Sequence, residues 1–301
     1  MAIGHYIKEI GRGKDGARPL SRAQAADLFG QVLDGSVTDL EVGAFCLAMR
    51  IKGETPDEMA GFLDATHARL HRLPASRQPT VVLPSYNGAR KLPVLTPLLA
   101  LLVARAGLPV LIHGTATEST RVFTASVLAE LGIGPRTGSG PVAGGSVAFL
   151  PTAHLCAGLQ RLLDVRRVVG LRNPAHSLVK LMMPCEGHAL LVTSYTHPEY
   201  ALSMAATIEQ VGANALLLRG TEGEPVADAR RMPRMEGYLA GRRVVVEEPR
   251  TGSLPALPAL PAGTEAAATA GYIRRVLDGQ ADIPAPIACQ VAHIVELAGR
   301  L

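Results

Sequence analysis

The sequence has no tryptophan, only five phenylalanines and six tyrosines, and four cysteines in 301 residues. The missing tryptophan excludes nothing by itself. The cysteines, Cys46, Cys156, Cys185 and Cys289, are far apart and form no CxxC pair. That excludes a disulfide framework and fits reduced, mostly buried thiols in a cytoplasmic protein. Charged residues make up only 19% of the chain, yet 48% is hydrophobic, so disorder is not expected over most of its length. No apolar run is long enough to cross a bilayer. The longest, around Leu92–Leu102, is interrupted by Pro93 and Pro97. The opening MAIGHYIKEIGRGKDGARPL has no apolar signal core. A cytoplasmic protein with no membrane partner is expected. Three catalytic signatures are also missing. There is no GxGxxG after a strand, no Walker lysine and no GxSxG elbow, so a dinucleotide fingerprint, a P-loop and a serine hydrolase are unsupported.

What is present is a change of rhythm. Residues 1–73 read as helices. Ser21 is placed to cap AQAADLFGQVL, and Thr38 with Glu41 three residues on has the form of a capping box. Thr55-Pro56 opens a further helix, with proline in its first turn. The linker Leu73–Pro79 closes this helical domain, which helices within 154–185 are expected to complete. From residue 80, short apolar runs alternate with helical stretches. Strands are predicted at Thr80–Leu83, Pro109–Ile112, Val147–Leu150, Ala189–Thr193, Asn214–Leu218 and Arg243–Glu247. Helices are predicted at Thr96–Ala106, Ser119–Leu131, His154–Leu163, Pro198–Val211, Thr264–Asp278 and Pro286–Ala298. Continuous apolar strands separated by helices imply an α/β domain over 80–301, with a mainly parallel central sheet flanked by helices. Gly252–Gly263, GSLPALPALPAG, reads as a proline-rich connector laid over the surface. Gly138–Ser146 reads as a hinge or lid.

Open α/β sheets bind ligands beyond the C-terminal ends of their strands. The segments that count are therefore Ser85–Lys91, His113–Thr120, Pro151–His154, Ser194–His197 and Arg219–Glu224. The first of them, SYNGARK, has the position of a phosphate loop but a single glycine and two cations.

The string LSRAQAADLFGQVLDGSVTDLEVGAFCLAMRIKGETPDEMAGFLDA, with its KGET step at Lys52–Thr55, resembles the opening helices of the anthranilate phosphoribosyltransferases. These form glycosyltransferase family 3, which is similar to the pyrimidine nucleoside phosphorylases. The resemblance runs through the sheet and so covers nearly the whole chain. It implies a nucleoside phosphorylase/phosphoribosyltransferase-like fold, a homodimer through the helical domain, and a site that holds pyrophosphate with magnesium. The family's GTGGD loop stands here as Ser85-Tyr86-Asn87-Gly88-Ala89, and its NxST step as Pro93-Val94-Leu95-Thr96. Its KHGN motif stands as Ile112-His113-Gly114-Thr115, and one acid of its DE pair is Glu224, followed by Pro225. These departures all strike the phosphate and metal machinery. The strings LLLRGTEGEPVADARRMPRM and RNPAHSLVKLMMP resemble the divergent YbiB-type branch, which is associated with DNA binding instead of phosphoribosyl transfer.

The cations fit that implication. Arg161, Arg166, Arg167, Arg172 and Lys180 stand against one acid, Asp164. Arg219, Arg230, Arg231, Arg234, Arg242 and Arg243 stand against Glu222, Glu224, Asp228 and Glu236. Lys8, Arg12, Lys14, Arg18 and Arg22 add to the N-terminal segment. Tyr238 is the nearest aromatic residue, so base stacking is not expected. A net charge of +4 is modest, and arginine-rich segments are often solvated faces.

Two functions follow. The first is a sequence-independent binder of DNA or RNA phosphates through Arg90, Lys91, Arg161, Arg166, Arg167, Arg172, Lys180, Arg219, Arg230, Arg231 and Arg234, with no cofactor. The second is a transferase on an unidentified phosphoribosyl or nucleoside substrate, with His113, Thr115, Thr96 and Glu224 as candidates and magnesium as cofactor. Cys185-Glu186-Gly187-His188 lacks a second Cys/His pair and reads as a loop, so no metal site is expected. His154 reads as a cap and His197 as structural.

Overall fold

The computed structural model describes residues 3–13, 15–250, 252 and 257–301, and for Val245 the backbone alone. Lys14 and residues 253–256 of the connector lie outside the described residues. In chain order the elements are α1 (Gly4–Ile10), α2 (Arg22–Asp34), α3 (Asp39–Lys52), α4 (Pro56–His67), β1 (Thr80–Ser85), α5 (Thr96–Arg105), β2 (Val110–Gly114), α6 (Thr124–Glu130) and β3 (Val147–Pro151). There follow α7 (Thr152–Leu155), α8 (Ala157–Val169), α9 (Ala175–Leu178), β4 (Ala189–Tyr195), α10 (Pro198–Val211), β5 (Ala215–Arg219), a 3-10 turn (Thr221–Gly223), β6 (Met235–Leu239), β7 (Arg242–Glu247), α11 (Ala266–Leu277) and α12 (Ala285–Ala298). They fall into two compact units, Met1–His71 with Thr152–Pro184, and Arg72–Pro151 with Cys185–Leu301.

In the first unit the sequence marks the starts of α2, α3 and α4. Ser21, Thr38 and Thr55 each accept the backbone N–H three residues on. Gln24, Glu41 and Glu58 reach back to close three capping boxes. The core between α2, α3 and α4 gathers three of the five phenylalanines. Phe29 stacks on Phe62 at 4.6 Å between ring centroids, and Phe45 meets Phe62 edge-on at 6.0 Å. The KGET step has a structural reason. Lys52 Nζ donates to Glu58 Oε2 at 2.6 Å, and Leu20 N donates to Glu58 Oε1 at 2.9 Å. The predicted helix His154–Leu163 is instead two helices, α7 and α8, because Cys156 takes an extended conformation between them. His154 is an exposed residue inside α7, not a cap.

The second unit is built on a seven-stranded sheet in the order β3-β2-β1-β4-β5-β6-β7. β1 to β5 are parallel, and β6 and β7 are antiparallel. Every residue of β1 and β2 is buried, and α5 presents Leu98, Leu99, Leu102 and Val103 to the same core. Each such side chain contributes roughly 1.5–3 kcal/mol.

Two expectations change here. Residues 119–123 do not start a helix, because Val122 forms a bridge with Ala89 and the helix begins only at Thr124. The sequence MEGYL, with its glutamate and glycine, gave no strand signal, yet it is β6. It turns into β7 through Ala240-Gly241, both at positive φ, the two-residue turn suited to a twisted hairpin. The Gly138–Ser146 segment is tied down. Arg136 donates from Nε to Gly138 O at 2.8 Å and from its NH2 group to Gly140 O at 2.8 Å. Among the described residues no helix is long and apolar enough to cross a membrane.

Candidate functional site: a phosphate-loop position closed by two glutamates

The chain runs outward from β1 through β2 to β3, then returns to the other side of β1 with β4. The direction of winding therefore reverses between β1 and β4. An open α/β sheet leaves its binding crevice at such a reversal, beyond the strands' C-terminal ends. The Ser85–Lys91 turn leaves β1 at that edge, and residues 219–224 leave β5 at the same edge.

Glu224 lies in this crevice and is 1% exposed. Its Oε1 accepts the backbone N–H of Asn87 at 2.7 Å and of Gly88 at 2.8 Å. Its Oε2 accepts from Thr96 Oγ1 at 3.0 Å and from the Ser85 hydroxyl. Ser85 Oγ also meets Thr124 Oγ1 at 2.7 Å. A carboxylate can only accept, so Thr124 supplies the proton of that second contact. Burying a charge without partners is costly, and here four neutral donors surround it.

Glu222 completes the closure. It sits at φ +51° and ψ +22°, the left-handed region that L-residues normally avoid. Its carboxylate accepts the N–H of Arg90 at 2.6 Å and of Lys91 at 3.0 Å. Its carbonyl accepts from Asn87 Nδ2 at 3.0 Å. Gly220 makes the turn possible, since a Cβ there would lie 1.9 Å from Glu224 O. The N–H groups of Asn87, Gly88, Arg90 and Lys91 all end on these two side chains. Ala89 N goes to Val122 O at 2.7 Å. The backbone donors that could cradle a phosphate are engaged by the protein's own carboxylates.

His113 is fully buried at the end of β2. Its Nδ1 shares a hydrogen bond with Tyr86 Oη at 2.8 Å, and its Nε2 has no protein partner. Burial pushes its pKa down to about 3, so the ring is neutral at ordinary pH. Arg121 braces the loop by donating to Glu118 Oε1 at 2.5 Å and to Asn87 O at 3.1 Å.

The structure thus gathers Ser85, Asn87, Gly88, Thr96 and Glu224 in one hydrogen-bonded cluster, with Tyr86 and His113 joined beside it. Thr115 is half-buried beyond β2 and takes no part in these bonds. The eleven predicted phosphate-binding cations are divided. Arg161, Arg166, Arg167, Arg172 and Lys180 belong to the helical unit, and the other six to the sheet unit. Lys180 is buried, which takes it out of reach of a polyanion. Arg161 donates to Leu33 O at 2.9 Å, and Arg167 lies 3.4 Å from Asp164. Arg230 forms a fork with Asp228, and Arg234 binds Glu236 and Glu248. Arg90, Lys91, Arg219 and Arg231 have exposed side chains. From sequence, Glu222 shows only as an acid opposing the arginines. The signal that could have marked it is its place between two glycines, Gly220 and Gly223, on a turn that faces the loop.

Comparison with known proteins agrees with the fold. Residues 5–69 match the helical bundle domain of the glycosyl transferase family. The chain is 40% identical over 301 residues to the uncharacterized protein YbiB of Escherichia coli (strain K12), covering 97% of this chain and 93% of that one. It is 30% identical over 274 residues to the anthranilate phosphoribosyltransferase of Salinispora arenicola (strain CNS-205), covering 87% and 76%. The crystal structure of anthranilate phosphoribosyltransferase from Thermus thermophilus aligns with a TM-score of 0.70 at 23% identity, covering 97% and 87%. The Saccharomyces cerevisiae enzyme in complex with PRPP and Mg aligns with a TM-score of 0.70 at 14% identity, covering 99% and 89%. The chain belongs to the anthranilate phosphoribosyltransferase family of glycosyl transferases, as a divergent member.

The magnesium implied by that family does not fit the residues as they stand. Both Glu224 oxygens already accept from two donors each. The neighbouring Pro225 has no side-chain ligand, and its carbonyl accepts from Gln290 Nε2 at 3.0 Å. Magnesium requires a near-octahedral set of oxygens, and this crevice offers hydrogen-bond donors in their place.

Proposed function

We propose that this chain binds nucleic acid, DNA or RNA, through the phosphate backbone and without sequence preference, on a transferase fold that has given up pyrophosphate binding. One observation carries the reading. The loop's backbone donors are engaged by Glu222 and Glu224, while the side chains of Arg90, Lys91, Arg219 and Arg231 stand exposed on or beside the same edge. A small pyrophosphate needs the first set of donors. A long polyanion needs only the second, since each neutralised phosphate releases counterions.

The names of the relatives give the second reading more support than the first. In that reading the chain transfers or phosphorolyses an unidentified phosphoribosyl or nucleoside substrate. It is favoured by the family itself and by the cluster of Ser85, Thr96 and Glu224 beside a neutral, half-partnered His113. It requires Glu222 and Glu224 to leave the loop when substrate arrives.

Fluorescence anisotropy with single- and double-stranded DNA and RNA at two salt concentrations tests the first reading. A parallel sample holds excess phosphoribosyl pyrophosphate and magnesium. Submicromolar binding that weakens steeply with salt and ignores the small ligand is expected. A flat salt response, or no binding at low salt, overturns it. Saturable heat on titrating phosphoribosyl pyrophosphate with magnesium would establish the second reading instead.

We propose further that two copies pair through the helical unit. Leu40, Ala44, Leu47 and Ile51 form a stripe along α3, with Leu40 84% and Ile51 66% exposed, next to Ile7 of α1. A monomer of this chain by light scattering would remove that proposal.

A further inference from the structure

We propose a zinc-class metal site in the sheet unit, away from the crevice, formed by Glu247, Cys289 and His293. Glu247 is the last residue of β7, and Cys289 and His293 lie four apart on α12. Residues at that spacing share one face of a helix, so the thiol and the imidazole point the same way. Three potential ligand atoms converge. Cys289 Sγ is 3.3 Å from Glu247 Oε2 and 3.4 Å from His293 Nε2, and His293 Nε2 is 3.3 Å from Glu247 Oε2. Tetrahedral zinc has ligands at about 2.0–2.3 Å, which places neighbouring ligand atoms roughly 3.3–3.6 Å apart. The observed triangle has that size. All three residues are half-buried, so the site is shielded yet reachable from solvent.

A Cys–His–acid catalytic relay would look different. It needs the thiol on one ring nitrogen of the histidine and the carboxylate on the other. Here both crowd the same nitrogen, Nε2, which suits convergence on one ion. The other nitrogen, Nδ1, faces Glu296 Oε2 at 3.9 Å. A carboxylate on that side, drawn in to hydrogen-bond distance, would hold the proton on Nδ1 and leave the Nε2 lone pair for metal. The donor set, one sulfur, one imidazole and one carboxylate, matches zinc or cobalt(II) and does not suit magnesium or calcium. Zinc-class ions bind the thiolate form of cysteine. Binding therefore displaces the thiol proton to solvent, and the ion gains a thiolate, a carboxylate and a neutral imidazole. The Arg250 NH2 group, 3.7 Å from the other Glu247 oxygen, is the cation the metal must tolerate. Three protein ligands leave a fourth position for water or an added ligand. Bound metal would pin α12 to the outermost strand.

The test uses the full chain without a histidine tag, stripped with chelator and titrated with cobalt(II). The expected result is one equivalent per chain with a thiolate-to-cobalt charge-transfer band, displaced by zinc. Cys289→Ser should abolish the band. His293→Gln should weaken binding by about 10-fold or more. The other thiols, Cys46, Cys156 and Cys185, remain in both variants, so persistence of the band in Cys289→Ser would overturn the site. So would the absence of a stoichiometric band in the parent chain. Circular dichroism of each variant checks that loss of metal is not loss of fold. A metal-dependent rise in melting temperature that His293→Gln lacks is an independent readout. The outcome does not depend on what the crevice binds.

Discussion

Among the described residues each unit holds one glutamate that is almost wholly buried, and the two are held in different ways. Glu58, 0% exposed, faces a cation. Lys52 lies 2.6 Å away, and Leu20 N and the Thr55 cap supply the remaining donors. Glu224, 1% exposed, is bonded to no cationic side chain among the described residues and takes two amides and two hydroxyls. A carboxylate tied to a lysine cannot be exchanged for an outside ligand without stranding a charge. A carboxylate held by amides and hydroxyls occupies a place that another anion could take. The first glutamate is part of the helical scaffold, and the second, on the reading proposed above, stands where an anionic ligand would.

That contrast can be broken experimentally, and the largest effect is expected at Glu58. Glu58→Ala takes the carboxylate from Lys52, whose largely buried ammonium keeps the Gly53 carbonyl at 2.7 Å, and denaturant unfolding should show a loss of about 3–5 kcal/mol. Phosphate should not restore it. Glu224→Ala leaves donors unsatisfied and should cost about 1–3 kcal/mol. Here millimolar phosphate or pyrophosphate should recover part of the loss, as a rise in melting temperature that the parent chain lacks. If neither anion helps, the occupant reading of Glu224 fails.

A pH dependence sharpens the comparison within the sheet unit. His113 is held neutral, with its folded pKa pushed down to about 3 against an ordinary value near 6.5. The unfolded chain takes up the proton first, so stability is full above about pH 6.5 and falls as pH drops toward 3. His113→Gln should reduce the loss of melting temperature between pH 7 and pH 5. It should not erase it, because His176 in the helical unit is pushed down in the same way by burial.

The smallest stability effect is expected at Glu222. Its left-handed backbone costs about 1–2 kcal/mol, while its bonds to Arg90 and Lys91 return roughly 0.5–1.5 kcal/mol each. Glu222→Gly should therefore change stability little. It should strengthen nucleic-acid or phosphate binding by removing a negative charge beside Arg90 and Lys91. Weaker binding in an anisotropy titration would contradict this. Joint replacement of Arg90 and Lys91 by alanine should flatten the salt dependence of nucleic-acid binding by about two units of slope.

Most of the scaffold was legible in the sequence, because its signals are local. The caps at Thr38 and Thr55 and the apolar runs of β1 to β5 act within a few residues. β6 was not legible, since MEGYL interrupts the apolar pattern and is held as a strand by its neighbours on both sides. The residue set of the crevice was legible through resemblance, but its closure was not. Glu224 reaches Asn87 across 137 positions, and Glu222 reaches Arg90 across 132. No spacing rule reports such pairings. The cluster on α12 shows both cases. Cys289 and His293 carry a helical spacing that can be read directly, while Glu247 reaches Cys289 only through the fold, from 42 residues away.

The β6–β7 hairpin has a further effect, on colloidal behaviour. β7 is the outermost strand on its side of the sheet, and an outermost strand offers unpaired backbone to any other extended chain. This one carries Arg242 and Arg243 at its start and Glu247 at its end. In a parallel, in-register pairing with a second copy these charges would face their like, and charged side chains are among the devices that blunt an outermost strand. Neutralising Arg242 and Arg243 is therefore expected to raise the tendency to aggregate, as turbidity at high concentration would show.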